Sequence, residues 1–151
     1  MTRWLLALTL LVIPLGCSSS SNTLTGSLST VYDLSFNSVV IVLEGSNVQI
    51  MYVGDSGDPA VLVVNTANIA DVVGTEIDLT QLEAGQARGV LQMVGGGTAM
   101  TTQQFGINNG FVTFNSVPKV GQVLSGSFAA TLTNPMGLTL DGTFSAKVNA
   151  P

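Results

Sequence analysis

The sequence contains no histidine and a single cysteine, Cys17. Without imidazole, the Ser-His-Asp and Cys-His nucleophile systems and the commonest zinc sites are excluded together. Charge is scarce as well: Asp, Glu, Lys and Arg make up 9% of the 151 residues, against roughly a quarter in an average soluble domain. The basic side are four residues, Arg3, Arg88, Lys119 and Lys147. So few and so scattered, they form no patch for a polyphosphate backbone, and nucleic acid is not an expected partner. The one tryptophan, Trp4, lies at the extreme N-terminus, so the rest of the chain has no indole to stack on a ligand.

What the chain does have is apolar residues, at 46%, and seventeen glycines. Its length suits one domain with a proper core. The longest apolar run, Trp4 to Leu15, follows Arg3 and has 12 residues, which is too short for a bilayer span of about 20 and suits the h-region of an export signal. After it come Gly16, Cys17 and the polar run Ser18-Ser19-Ser20-Ser21-Asn22. Leu15-Gly16-Cys17 resembles the lipobox of bacterial lipoproteins, although Pro14 stands where that motif usually carries Leu. The resemblance implies cleavage between Gly16 and Cys17 and a diacylglyceryl group on the Cys17 sulfur. Ser18, rather than Asp, resembles the pattern sorted to the outer membrane of Gram-negative cells. The expected organisation is a signal peptide over 1–16, a lipidated cysteine and tether over 17–23, and a domain over 24–151.

The domain reads as strands. Leu124, Phe128, Ala130 and Leu132 share one parity, as do Leu138, Leu140, Phe144, Ala146 and Val148, with polar residues between them. Asn134-Pro135-Met136-Gly137 between the two runs suits a three-residue hairpin loop. That loop pairs Leu124 with Val148, Phe128 with Phe144 and Leu132 with Leu140. The strands echo each other as Gly126-Ser127-Phe128 and Gly142-Thr143-Phe144, and such paired strands resemble the ends of other small bacterial lipoproteins, which supports the all-β reading alone. A second hairpin, Val39–Leu43 and Val48–Tyr52, is predicted around Gly45-Ser46, with Leu43 opposite Val48 and Val39 opposite Tyr52. Further strands are predicted at 31–36, 60–65, 76–79, 89–94 and 110–115. Turns are predicted at 55–59, 95–97 and 108–110, and one helical turn at 80–85 from the capping-box form Thr80-x-x-Glu83 before Gly85. About nine strands with this spacing predict an antiparallel β-sandwich, with a small β-barrel as the alternative.

The remaining candidates for chemistry are acids. Asp55 and Asp58 flank one loop, and Asp71, Glu76, Asp78 and Glu83 crowd another segment. Their spacing does not match a calcium loop, and they read as solvated loop acids. Gly95-Gly96-Gly97 lacks the Lys and helix of a phosphate loop. Phe36, Tyr52, Phe128 and Phe144 have core parity, while one of Phe105, Phe111 and Phe114 is a candidate for exposure. No catalytic residue, metal site or cofactor is assigned, and the chain is not expected to be an enzyme. The expected role is a lipid-anchored, non-catalytic structural or interaction module of the cell envelope. The alternative is a binding protein for a small apolar ligand held in a sandwich or barrel cavity.

Overall fold

The computed structural model describes residues 21–83, 85–95 and 101–151; the expected signal segment, Gly16 and Cys17 lie outside them. The described chain is all-β apart from a one-turn 3-10 helix, Ser27–Thr30. In chain order the strands are β1 (Thr23–Thr25), β2 (Ser38–Glu44), β3 (Asn47–Gly54), β4 (Gly57–Asn65), β5 (Ile77–Asp78), β6 (Leu82–Glu83), β7 (Gln86–Ala87), β8 (Gly89–Gly95), β9 (Thr101–Phe105), β10 (Ile107–Phe114), β11 (Val123–Leu132) and β12 (Thr139–Asn149).

Ten of these form one curled mixed sheet, ordered β5-β10-β11-β12-β2-β3-β4-β8-β9, with β1 also on β12; β6 and β7 pair with each other. The strand β12 joins the two halves. It runs antiparallel to β11 along its length, and its other edge takes β1 antiparallel near Gly142 and β2 parallel at Val148–Asn149. The halves thus face each other as in a sandwich while staying one sheet, a half-barrel. Its two flanks are stitched at Leu79, whose N–H donates to the Gly110 carbonyl at 3.0 Å and whose carbonyl accepts from Gly89 N–H at 2.8 Å.

Alternation along the strands decides what is inside. Val48, Ile50 and Tyr52 of β3, Leu62 and Val64 of β4, Val112 and Phe114 of β10, and Phe128 and Phe144 of the last two strands form one core. Tyr52 is the centrepiece. Its ring meets Phe36 edge-on at 5.0 Å and Phe128 at 6.1 Å, and its hydroxyl donates to the Thr143 carbonyl at 2.9 Å, spanning the two halves. Edge-to-face pairs of this kind add about 1 kcal/mol each beyond area burial.

The β2–β3 hairpin has the predicted register, Leu43 with Val48, Ile41 with Ile50 and Val39 with Tyr52. The β11–β12 hairpin has the predicted faces and a different register: Leu124 pairs with Ala146, Phe128 with Gly142, Gly126 with Phe144 and Ala130 with Leu140. The shift is two residues, so every side chain keeps its face. The connection is longer than expected, with Leu132 N–H bonded to the Leu138 carbonyl and a cis Asn134–Pro135 peptide. Packing accounts for this choice. In the predicted register two phenylalanines would meet side by side, whereas here each ring lies over the other strand's glycine. A Cβ on Gly126 would sit 2.6 Å from Phe144 Cζ, and one on Gly142 would sit 2.9 Å from Phe128 Cζ and 2.6 Å from the Tyr52 hydroxyl. The Gly-x-Phe echo is therefore a reciprocal ring-over-glycine lock.

Four other expectations are corrected. Residues 31–36 form no strand, because the Asp33 carboxylate captures the Ser35 N–H at 2.9 Å and its hydroxyl at 2.6 Å, and this local turn competes with a ladder. The helical turn at 80–85 is instead the small β6–β7 hairpin. Thr80 N–H and its hydroxyl go back to Asp78, and Glu83 pairs with Arg88, so neither half of a capping box forms. Asn108-Asn109-Gly110 is not a turn but part of β10, at a bulge between Ile107 and Asn109. Gly110 is buried there, where a Cβ would meet the Ala129 carbonyl at 2.8 Å. Finally, the polar edge strand β9 was not expected, since Thr101 to Gln104 are all exposed and show no alternation. Of the expected turn at 95–97, Gly95 closes β8 and the other two residues lie outside the described chain.

Candidate functional site

The strands end unevenly, and at one end of the half-barrel this leaves a cleft of about 460 Å³, within the usual size range of small-molecule sites. It gathers the segment before β2, the β3–β4 turn with the start of β4, the end of β8 and the start of β9. One wall is the strap 31–37, clipped on both sides. Asn37 Nδ2 donates to Asp55 Oδ1 at 2.5 Å and its N–H to the Val53 carbonyl at 2.8 Å, which holds the strap to β3. The Tyr32 hydroxyl donates to Gln103 Oε1 at 3.3 Å, and its ring stands edge-on to Phe105 at 5.7 Å, which holds it to β9. The floor is Pro59, buried in β4, and half-buried Met93 of β8.

Three carboxylates, Asp33, Asp55 and Asp58, line this cleft without a basic residue among its walls. The Ser35 hydroxyl, aided by its backbone N–H, holds the Asp33 carboxyl below its ordinary value, so this exposed group is ionised at neutral pH. The cleft is an acidic recess with amide and hydroxyl groups at its rim. Its chemistry suits hydrogen bonding and attraction of positive charge.

The acids singled out in the sequence are dispersed by the fold. Asp55 and Asp58 come to the cleft, Asp71 and Glu76 are exposed near the far end of β10, and Asp78 caps its own turn through Thr80. The Thr80 hydroxyl and N–H hold the Asp78 carboxyl below its usual value. Glu83 is taken by Arg88. Among the described residues, no three His, Cys, Asp or Glu side chains converge as metal ligands would. Phe111 is the exposed one of the three uncertain phenylalanines, and Phe105 and Phe114 are core.

Sequence reading missed Asp33, Tyr32, Asn37 and Gln103, and it missed Arg88. Tyr32 and Asp33 come from a segment expected as a strand, Asn37 directly follows it, and Gln103 comes from a polar strand without periodicity; Asp33-x-Ser35 was the available signal, a local turn pattern that interrupts alternation. Arg88, 3% exposed, donates to the carbonyls of Asn65 and Ala67 at 2.8 and 3.0 Å and to Gln81 Oε1 at 3.3 Å, besides its ion pair with Glu83. Its donors are spent on tying the 65–67 loop to the β6–β7 hairpin, so this cation is a structural clamp. Tyr52 is likewise structural: burial pushes its phenol well above the ordinary range, so it stays protonated. No protein-family model, curated protein or solved structure matches this chain.

Proposed function

We propose that the protein is a lipid-anchored module of the cell envelope, held by Cys17 on the outer membrane of a Gram-negative cell, that acts without catalysis by presenting its acidic cleft away from the bilayer. The observation that supports this reading is the direction in which the chain enters the domain. β1 runs antiparallel to β12, and β12 runs parallel to β2. Traced back from Thr23, the backbone continues along β12, where Asn22 Oδ1 accepts the Ser145 N–H and the Ser21 carbonyl accepts the Thr143 hydroxyl. That is the direction in which β2 runs away from Asn37 and the cleft. A tether leaving at this end turns the cleft outward.

The alternative, a small apolar ligand held between the facing halves, has less support. Tyr52, Phe114, Phe128 and Phe144 are all buried there and interlock, and the cleft at the β3–β4 turn is lined by three carboxylates. The test is expression of the full chain beside Cys17→Ser, followed by detergent phase separation and membrane fractionation. The wild type is expected as the shortened, acyl-labelled form in the detergent phase and the outer-membrane fraction; the variant is expected without acyl label and absent from the outer membrane, either as an uncleaved precursor kept in the inner membrane by its apolar run or as a cleaved form in the aqueous phase. Equal labelling and fractionation of the two would sink the anchor.

A further inference from the structure

We propose that the loop between β10 and β11 is a second, shallow membrane contact that seats the domain on the bilayer beside its lipid anchor; this rests on the anchor reading above. Two valines of this loop and the one that opens β11 are outside the core, with Val117 60% exposed, Val120 48% and Val123 63%. Exposed apolar side chains this close together mark an interaction surface. Their position identifies the partner. β10 runs parallel to β12, so the loop lies at the end toward which the backbone leaves from Thr23. The two are neighbours in space, since Ser21 and Thr23 line one surface depression with Asn115 and Ser125 at the root of the loop.

The tether is short. Ser21 is four residues after Cys17, and an extended chain of that length reaches at most about 14 Å. A lipidated Cys17 therefore holds this end of the domain within a loop's length of the headgroups. Charge agrees with the placement: Arg88 is buried, and the two remaining cations after residue 17, Lys119 in the loop and Lys147 paired with Val123, are both exposed at this end. Asp71 and Glu76, exposed beside Phe114, border the same end, so the positive charge is not large enough to carry the contact. The valines do so by entering the interfacial layer, as the apolar face of a monotopic segment does, and the contact is expected on zwitterionic as well as anionic bilayers.

The test uses the full lipidated chain in vesicles of phosphatidylethanolamine and phosphatidylglycerol. With the Cys17 sulfur acylated, Val120→Cys carries the one free thiol, which takes an environment-sensitive fluorophore; Ser56→Cys, in the β3–β4 turn at the cleft end, is the comparison. The expected result is blue-shifted emission at 120 and several-fold stronger quenching there by shallow spin-labelled lipid than at 56. Vesicle-bound protein with equal, water-like emission at both positions overturns the loop contact and leaves the anchor standing. Protein that does not float with the vesicles at all overturns the anchor, and the contact with it.

Discussion

At the scale of single residues, the molecule turns on places where a side chain is absent so that another has room. Gly142 is such a place, covered by the Phe128 ring and by the Tyr52 hydroxyl that reaches across the halves. Gly142→Ala is expected to cost about 2 kcal/mol by overpacking, read as a lower denaturant midpoint, whereas Met136→Ser at the 91%-exposed hairpin tip is expected to change stability by less than about 0.5 kcal/mol. Equal, small effects at both would refute the ring-over-glycine lock. Tyr52 gives a second handle. Its folded-state phenol titrates above its ordinary value of 10.0, so the native state keeps a proton that the unfolded chain releases. The stabilisation is complete below pH 10 and is lost as pH rises above it. Tyr52→Phe is expected to lose about 1 kcal/mol at neutral pH from the bond to Thr143, and to show a smaller further loss on titration to high pH. A wild type and variant with parallel alkaline profiles would refute this.

Among elements, β12 and β9 are opposites. β12 is paired on both edges and carries Leu140, Phe144 and Val148 into the core, while β9 is an edge strand with four consecutive exposed polar residues. Local opening is least costly where few apolar contacts are lost. Amide exchange is therefore expected to be slowest in β12 and its partner β11 and fastest among the strands in β9, with the strap 31–37 also fast except at Asn37. Uniform protection across the strands would contradict this ranking. The same contrast explains what was legible beforehand. β3, β11 and β12 alternate because one face is buried, and β2 is a continuous apolar run beside a two-residue turn, so their positions could be read from the sequence. β9 is exposed on both faces along most of its length, and no burial pattern was written into it. The strap failed for a different reason: Val31, Tyr32, Leu34 and Phe36 look like strand residues, and only the Asp33–Ser35 turn decides against pairing.

For the whole molecule, β12 joins the two halves, so the fold is not complete without it. A chain ending at Thr143 lacks Phe144, Val148 and the parallel pairing to β2. It is expected to show no cooperative thermal transition, whereas residues 21–151 are expected to unfold as one unit. A folded, cooperative truncated chain would mean that the halves stand independently. The all-β architecture was legible, since turn spacing and period-two patterning point to it; that the sheet would stay single, and curl, was not. Pairing between β12 and β2 joins residues more than a hundred positions apart on the chain, and no local signal marks it.

By itself the sequence determined most of the long strands, their inward faces and the short-turn hairpin, because alternation and a two-residue turn are local properties that burial reads directly. It also carries the lipobox-like segment on which the anchor proposal rests. The tertiary structure decided the β11–β12 register, the company that Arg88 keeps and the make-up of the cleft. The register read from the turn was off by two residues because such a slip preserves every face, so only ring-against-glycine volume discriminates. The cleft was illegible because its walls come from four separate segments, each unremarkable along the chain, and they meet only where the strands of a curled sheet end unevenly.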